Sequence, residues 1–157
     1  VGVSDPVVAG TQETPIVTAY DLFNNIKTDY VGTIHFTTDT PSSTLPGDYT
    51  YVLGDAGVAT FTNGVQLKTT GTYYVKVEDS VDNTKIGEQL GIVVNPGVLD
   101  YFTLTGISSP MIAGDQHTVI ATAFDANNNI KTDYVGTIAF TSDDPQVVLP
   151  ANYTYLV

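Results

Sequence analysis

NNIKTDYVGTI, residues 24–34, returns without a change at residues 128–138. Around this stretch, residues 8–53 align with residues 112–157 at a constant offset of 104 positions, and 28 of the 46 aligned pairs are identical. A period of about 100 residues is the size of a whole domain. The repeat therefore predicts a tandem array of domains.

The alignment also predicts where the two units divide. The triplet at 95–97, Asn-Pro-Gly, punctuates the chain, because proline cannot extend a strand ladder and glycine permits a turn. We predict that residues 1–96 form unit 1, which lacks the start of its first strand, and that residues 97–157 form the N-terminal half of unit 2. Nothing in unit 2 aligns with residues 54–94. Since half a sandwich would expose apolar inner faces, we expect the missing strands to come from a continuing polypeptide or from another chain.

The composition favours an acidic, all-β protein. Seventeen acidic residues stand against five lysines, and the formal net charge is −12. Such a surface repels nucleic acid and anionic lipid, which makes both poor candidate partners. The sequence has no cysteine, which excludes disulfides and thiolate metal sites. No run of 18 or more apolar residues is present, so we predict no membrane span in this segment.

Alternation of apolar and polar residues predicts the strands of unit 1. The predicted strands are 14–21, 30–37, 57–67, 71–79 and 86–94, with shorter segments at 44–45 and 49–53. Side chains alternate across a strand, so Ile34 and Phe36 share one face of the second strand, and Val75 and Val77 share one face of the fourth. Close spacing with turn signals between the strands predicts an immunoglobulin-like β-sandwich: one near-complete unit followed by the first half of a second. Unit 2 opens with a strand at 98–107.

The Asn-rich loops at 21–29 and 125–133 are the candidate metal sites. Carboxylate and amide oxygens are the ligands that Ca²⁺ prefers. The candidate ligands are Asp21, Asn24, Asn25 and Asp29 in unit 1, and Asp125, Asn128, Asn129 and Asp133 in unit 2. The alternative is turn chemistry, because Asn and Asp side chains accept left-handed conformations and bond to nearby backbone groups. The spacing is not that of an EF-hand. We predict no other cofactor.

Nothing in the sequence assembles a catalytic site. The two histidines do not recur, since His35 aligns with Ala139 and His117 aligns with Glu13. No Ser-His-Asp set, phosphate loop or HExxH motif is present. Tyr73, two residues before Val75, is predicted to be structural, with its hydroxyl bonding back to the preceding corner. We therefore predict that the segment is not an enzyme.

The units share a series of short motifs in a fixed order. They are Ala-Gly at 9–10 and 113–114, the Asp-initiated Asn-rich loops, Tyr-x-Gly-Thr-x-x-Phe at 30–36 and 134–140, Asp-x-Pro at 39–41 and 143–145, and Leu-Pro with Tyr-Thr at 45–50 and 149–154. This order resembles the bacterial immunoglobulin-like (Big-type) repeats found in tandem in large surface and secreted proteins, the wider group that includes invasin and intimin stalks. Many such repeats read Asp-x-x-Gly-Asn in the loop, where this chain has Asn24 or Asn128 in place of the glycine. The resemblance implies a seven-stranded sandwich, extracellular display, and a spacer or adhesive role without catalytic residues.

We therefore expect a non-catalytic structural module of an extracellular tandem-repeat protein, such as a stalk, a surface-layer element or a fibre. Its partners would be neighbouring repeats or copies of the same protein, and strand complementation would build a filament. The alternative is an adhesive or carbohydrate-binding module of a surface protein or secreted enzyme. In that alternative, tyrosines such as Tyr74 and Tyr101 would stack on glycans or contact host-surface ligands.

Overall fold

The computed structural model describes residues 2–156. They form an all-β structure in two compact units, which divide between Gly97 and Val98. Among the described residues the one helical element is a 3-10 turn at Leu53–Asp55. That part of the chain holds no helix long and apolar enough to cross a membrane. Each unit is described below by itself.

Unit 1 contains ten strands. They are β1 (Val7–Val8), β2 (Gln12–Glu13), β3 (Ile16–Thr18), β4 (Thr33–Thr38), β5 (Ser43–Thr44), β6 (Tyr49–Thr50), β7 (Val58–Thr60), β8 (Val65–Leu67), β9 (Gly71–Asp79) and β10 (Ile86–Asn95). Valine, isoleucine, threonine and tyrosine fill most of these positions, because β-branched and aromatic side chains pack well on a pleated surface.

Two layers of strands make up unit 1. One layer is a five-stranded sheet in the order β1-β10-β9-β4-β6, antiparallel except for the parallel pair of β1 and β10. The other layer contains a three-stranded sheet, β2-β8-β5, and a two-stranded sheet, β3-β7. Strand β3 follows β2 along the chain, and the two strands pair with β7 and β8 in antiparallel order. The two small sheets therefore continue each other end to end.

The core of unit 1 lies between these layers. Ile34 and Phe36 of β4 are 5% and 4% exposed, and they face inward with Val75 of β9. Val65 and Leu67 of β8 supply the opposite side. Two inward-facing layers around one apolar cluster make the fold sandwich-like, and the predicted shared face of Ile34 and Phe36 is confirmed.

The strand predictions missed β1 and β2, and the strand predicted at 14–21 is shorter in the structure, where β3 spans Ile16–Thr18. The predicted strand at 71–79 is confirmed as β9. The predicted single strand at 57–67 is wrong, because a turn separates β7 from β8. In that turn the N–H of Gly64 donates to the carbonyl of Phe61 at 3.0 Å, and Asn63 adopts a left-handed φ of 52°. A residue with that backbone angle cannot continue a strand.

Unit 2 contains four strands: β11 (Leu99–Thr105), β12 (Ile120–Asp125), β13 (Gly136–Ile138) and β14 (Tyr153–Tyr155). They form two separate antiparallel pairs, β11-β12 and β13-β14. Within the described part of this unit, the buried residues are Ala123, Asp125 and Asn129. Many of its large apolar side chains are therefore in contact with solvent.

Candidate functional site

The Asn-rich loop of unit 1 is held by one carboxylate. Asp21 Oδ1 accepts hydrogen bonds from the backbone N–H of Phe23 at 2.8 Å and of Asn25 at 2.9 Å. Asn25 Nδ2 donates to Asp21 Oδ2 at 3.0 Å. These bonds, chiefly the one from the Asn25 side chain, lower the pKa of Asp21 from its usual value. Asp21 is thus the organising residue of the turn.

Backbone hydrogen bonds complete this loop. The N–H of Asp21 donates to the Asn25 carbonyl at 2.9 Å, and the N–H of Asn24 donates to the Asp21 carbonyl at 3.1 Å. Asn24 lies in the left-handed region with φ 62°. Asparagine accepts this conformation more readily than most residues, which explains why Asn24 can occupy this position.

The loop of unit 2 has the same geometry. Asp125 Oδ1 accepts from the N–H groups of Asn127 at 2.9 Å and Asn129 at 2.8 Å, and Asn129 Nδ2 donates to Asp125 Oδ2 at 2.9 Å. Asn128 has φ 64°. The shared aspartate and asparagines therefore build the same turn in both units.

The two loops differ in what covers them. Asp125 is 0% exposed and Asn129 is also buried, whereas Asn25 is exposed to solvent. In unit 2, Leu99 of β11 pairs with Asp125, and the Tyr101 hydroxyl donates to Asn128 Oδ1 at 2.8 Å. Strand β11 therefore contributes the cover that the loop of unit 1 lacks.

The last acidic residue of each loop pairs with a lysine. Lys27 Nζ lies 2.6 Å from Asp29 Oδ1, and Lys131 Nζ lies 2.7 Å from Asp133 Oδ1. The lysine hydrogen bond is the main reason that the pKa values of Asp29 and Asp133 are lowered.

Calcium binding at these loops stays a prediction. The structure brings Asp21 together with Asn25, and Asp125 together with Asn129, and the carboxylate oxygens of Asp21 and Asp125 accept from N–H donors of the loop. Among residues 2–156 no group of three or more acidic or histidine side chains is arranged to hold a metal ion. A calcium ion would have to replace hydrogen bonds that already stabilise the turn.

A tyrosine–aspartate pair in unit 1 was not expected from the sequence. The Tyr30 hydroxyl donates to Asp79 Oδ2 at 2.5 Å, and Asp79 Oδ1 accepts from the N–H groups of Val81 and Asp82. The Tyr30 bond is the largest cause of the lowered pKa of Asp79, while burial and that bond raise the pKa of Tyr30. A Cβ atom at Gly32 would collide with the Tyr30 hydroxyl. The Tyr-x-Gly motif indicates only that Tyr30 packs against Gly32, and it does not identify Asp79 as the partner of the hydroxyl.

The remaining singled-out residues have structural partners. The predicted bond of Tyr73 is confirmed, since its hydroxyl donates to the Thr70 carbonyl at 2.9 Å. His35 Nδ1 lies 2.6 Å from Asp48 Oδ1 at the surface. The Tyr101 ring stacks on Phe124 with centroids 5.3 Å apart and planes 12° apart, which occupies one face of the proposed sugar platform.

Unit 1 also has an open groove beside β3. A cavity of about 490 Å³ is lined by residues that include Ala19, Tyr30 and Tyr51. A second cavity of about 440 Å³ is lined by residues that include Phe36 and Val75. Val17, Thr18, Tyr20, Val77 and Gly87 line both. The two cavities therefore form one continuous groove between β3 and the strands β9 and β10.

No family model, no curated protein and no solved structure matches this chain.

Proposed function

We propose that the chain is part of a tandem array of immunoglobulin-like domains, of the bacterial Big type, and that it serves as a non-catalytic structural module of an extracellular protein. The observation that carries this proposal is the loop built twice. Asp21 with Asn25, and Asp125 with Asn129, make the same hydrogen bonds 104 positions apart. If a scaffold is repeated along the chain, each copy is expected to contain the same turn.

Two features of unit 1 support the immunoglobulin-like part of the proposal. Its strand order places β9 between β10 and β4 in one sheet and places β8 between β2 and β5 in the other. The Tyr73 hydroxyl bonds back to the Thr70 carbonyl at the start of β9, as the corner tyrosine of such sandwiches does.

The surface chemistry supports a spacer role. The net charge of −12 makes the modules repel one another over most of their surface, which favours an extended array. The carboxylates of Asp21 and Asp125 accept hydrogen bonds from within their own loops, so these loops stabilise the scaffold. Contacts between repeats, and between copies of the protein, are the partners we propose.

Labelling of intact cells tests the extracellular role. Antibodies raised against the 157-residue chain should label the outer surface of unpermeabilised source cells, or material released from them, in immunogold electron microscopy. Label that appears only after permeabilisation would contradict the proposal. An antibody against a cytoplasmic protein of the same cells is the control for intactness.

A binding role is the second candidate, and one observation favours it. Leu22 and Phe23 at the tip of the unit 1 loop are 92% and 80% exposed. Unit 2 has Ala126 and Asn127 at these positions. Exposed apolar side chains at a loop tip are typical of recognition surfaces. The scaffold does not require them, since unit 2 forms the same turn without them.

The loop of unit 2 supplies the matched variant. The double change Leu22→Ala and Phe23→Asn gives unit 1 the loop sequence of unit 2 and should leave the fold intact. Glycan arrays and binding to host-surface proteins would be compared between the two chains. Binding by the original chain that the variant loses supports an adhesive module, and absence of binding by both removes this candidate.

A further inference from the structure

The turn between β7 and β8 contains Asn63–Gly64, the only place in the 157-residue sequence where glycine follows asparagine. Asn63 is exposed and has φ 52°. Its backbone N–H donates to Thr14 Oγ1 at 3.0 Å, and the N–H of Gly64 donates to the Phe61 carbonyl at 3.0 Å. These two hydrogen bonds define the shape of the turn.

The fold favours each residue of this pair for a separate reason. A left-handed φ at the third position of a four-residue turn favours glycine or asparagine. At position 64, a Cβ atom would lie 2.9 Å from Phe61 Cβ and 3.0 Å from Pro46 Cγ, so the packing leaves no room for a side chain. The geometry of the turn therefore joins an asparagine to a glycine.

An asparagine that precedes glycine is chemically reactive. The backbone nitrogen of the next residue can attack the carbonyl carbon of the asparagine side chain, and glycine has no Cβ to hinder that attack. The Asn63 side chain is open to this reaction, because it is exposed and its amide makes no hydrogen bond to residues 2–156. The bond from the Gly64 N–H to the Phe61 carbonyl must open first, and a single bond in a surface turn opens by local fluctuation.

Asn83, in the turn between β9 and β10, is a control within the same chain. It is exposed like Asn63, and the N–H of the next residue is also engaged, since Thr84 donates to Asp82 Oδ1 at 3.1 Å. The difference is the β-branched side chain of Thr84, which crowds the approach of its nitrogen. Exposure and hydrogen bonding are thus matched at the two sites, and the Cβ of the following residue differs.

We propose that Asn63–Gly64 is a self-modification site of the folded protein, at which Asn63 converts to aspartate and isoaspartate. The Gly64 nitrogen attacks Asn63 Cγ, a new N–Cγ bond forms, and the side-chain nitrogen leaves as ammonia, taking the Gly64 N–H proton. Water then opens the five-membered succinimide ring at either carbonyl. The net change is the addition of water and the loss of ammonia. This inference does not depend on the proposed function.

The isoaspartate product disturbs a well-packed part of unit 1. In isoaspartate the main chain runs through the side-chain methylene, which adds one carbon between residue 63 and Gly64. The hydrogen bond from Gly64 to the Phe61 carbonyl spans this added carbon, and the next residue, Val65 of β8, is 0% exposed. We therefore expect amide exchange across β8 to become faster by about tenfold or more in the isoaspartate form.

Incubation of the 157-residue chain at mildly alkaline pH tests the site. Peptide mapping by mass spectrometry follows the gain of about 1 Da at Asn63 and at Asn83, and an isoaspartyl methyltransferase with a labelled methyl donor measures isoaspartate. We expect Asn63 to convert at least about tenfold faster than Asn83 in the folded chain. A parallel incubation in urea, above the unfolding transition, gives the rates of the unfolded chain.

Two variants complete the test. Asn63→Gly accepts φ 52° and has no side-chain amide, so it should fold and form no isoaspartate in this turn. Asn63→Asp carries the charge of the product without the added carbon, so amide exchange across its β8 should match that of the original chain. The inference is overturned if Asn63 and Asn83 convert at the same rate in the folded chain, if Asn63 converts only in urea, or if the purified isoaspartate form exchanges like Asn63→Asp.

Discussion

Residues 24–34 and 128–138 are identical, yet the molecule surrounds them differently. Ile34 is buried in the core of unit 1, and its strand β4 pairs with β9 from Ile34–Asp79 to Thr38–Val75. Ile138 is half-exposed, and its strand pairs with β14 alone among the described residues. At the neighbouring Asn-rich loop the difference in burial is reversed, since Asp125 of unit 2 is buried and Asp21 of unit 1 is not. The comparison teaches that local sequence sets the turn, while burial depends on which partner strands are present.

The largest expected difference between the units is in the stability lost when a core phenylalanine is removed. Phe36→Ala should lower the free energy of unfolding of unit 1 by about 3–5 kcal/mol, because Phe36 is 4% exposed. Phe140→Ala is the matched change in unit 2 and should cost less, about 1–2 kcal/mol, because Phe140 is only partly buried. NMR-detected urea unfolding, followed at resonances of each unit, measures both. Equal losses would show that Phe140 is buried in solution, as it would be if strands from elsewhere cover unit 2.

A smaller difference is expected at the shared tyrosine. Tyr30→Phe removes the hydrogen bond to Asp79 and should lower the stability of unit 1 by about 1–2 kcal/mol, allowing for the partial exposure of the carboxylate. The control is Tyr134→Phe, whose hydroxyl makes no hydrogen bond to residues 2–156, and it should be nearly neutral. Urea unfolding of the two variants at fixed pH measures the free energy of unfolding that each one loses. If Tyr30→Phe leaves the free energy of unfolding of unit 1 unchanged, the hydrogen bond to Asp79 does not stabilise the unit.

The Tyr30–Asp79 pair also predicts an acid sensitivity of unit 1 that unit 2 does not share through an equivalent pair. The pKa of Asp79 is lower in the folded state than the unfolded value near 3.9, chiefly because Tyr30 donates to it. Its contribution is therefore fully present above about pH 4 and is lost as the pH falls through the lowered folded pKa. Asp79→Asn should flatten this part of the stability profile of unit 1 and leave unit 2 unchanged. Thermal unfolding measured from about pH 2 to 6 would show an unchanged slope if the pair contributes nothing.

Strand positions followed from the sequence where alternation was uninterrupted. Strand β9 was predicted residue for residue, because its apolar positions recur with period two from Tyr73 to Val77. The break at Asn63 was missed, since a single left-handed residue inside an otherwise alternating segment leaves little trace in periodicity. The all-β class followed from composition and alternation together.

For the candidate site too, local features were predictable from the sequence and long-range contacts were not. The sequence identified the loop residues, because Asp and Asn at fixed offsets are a local signal. It missed the bond between Tyr30 and Asp79, which joins residues 49 positions apart. It also missed the groove beside β3, because whether the edge of a strand is open depends on which other strands pair with it. Contacts between distant strands are set by topology, and a single sequence carries no direct record of them.

A still smaller difference should separate the two left-handed asparagines. Asn24→Gly should change stability by a few tenths of a kcal/mol, because glycine accepts φ 62° without strain. Asn128→Gly should cost about 1 kcal/mol, because Asn128 Oδ1 also accepts from the Tyr101 hydroxyl. The control Tyr101→Phe should reproduce that loss. Equal values at both positions would mean that β11 does not tie down its loop as the structure has it.

The smallest expected effect is that of calcium, and it tests both loops at once. Asp21 and Asp125 each accept N–H bonds from the backbone of two residues and from an asparagine side-chain amide, so an ion must compete with donors that already bond to the carboxylate. We expect the melting temperature to be the same in EDTA and in excess Ca²⁺, for the original chain and for Asp21→Asn alike. A calcium-dependent rise that Asp21→Asn removes would instead establish the loop of unit 1 as a metal site. The exposed loop is the one to test in this way, because Ca²⁺ can reach Asp21 directly whereas β11 covers Asp125.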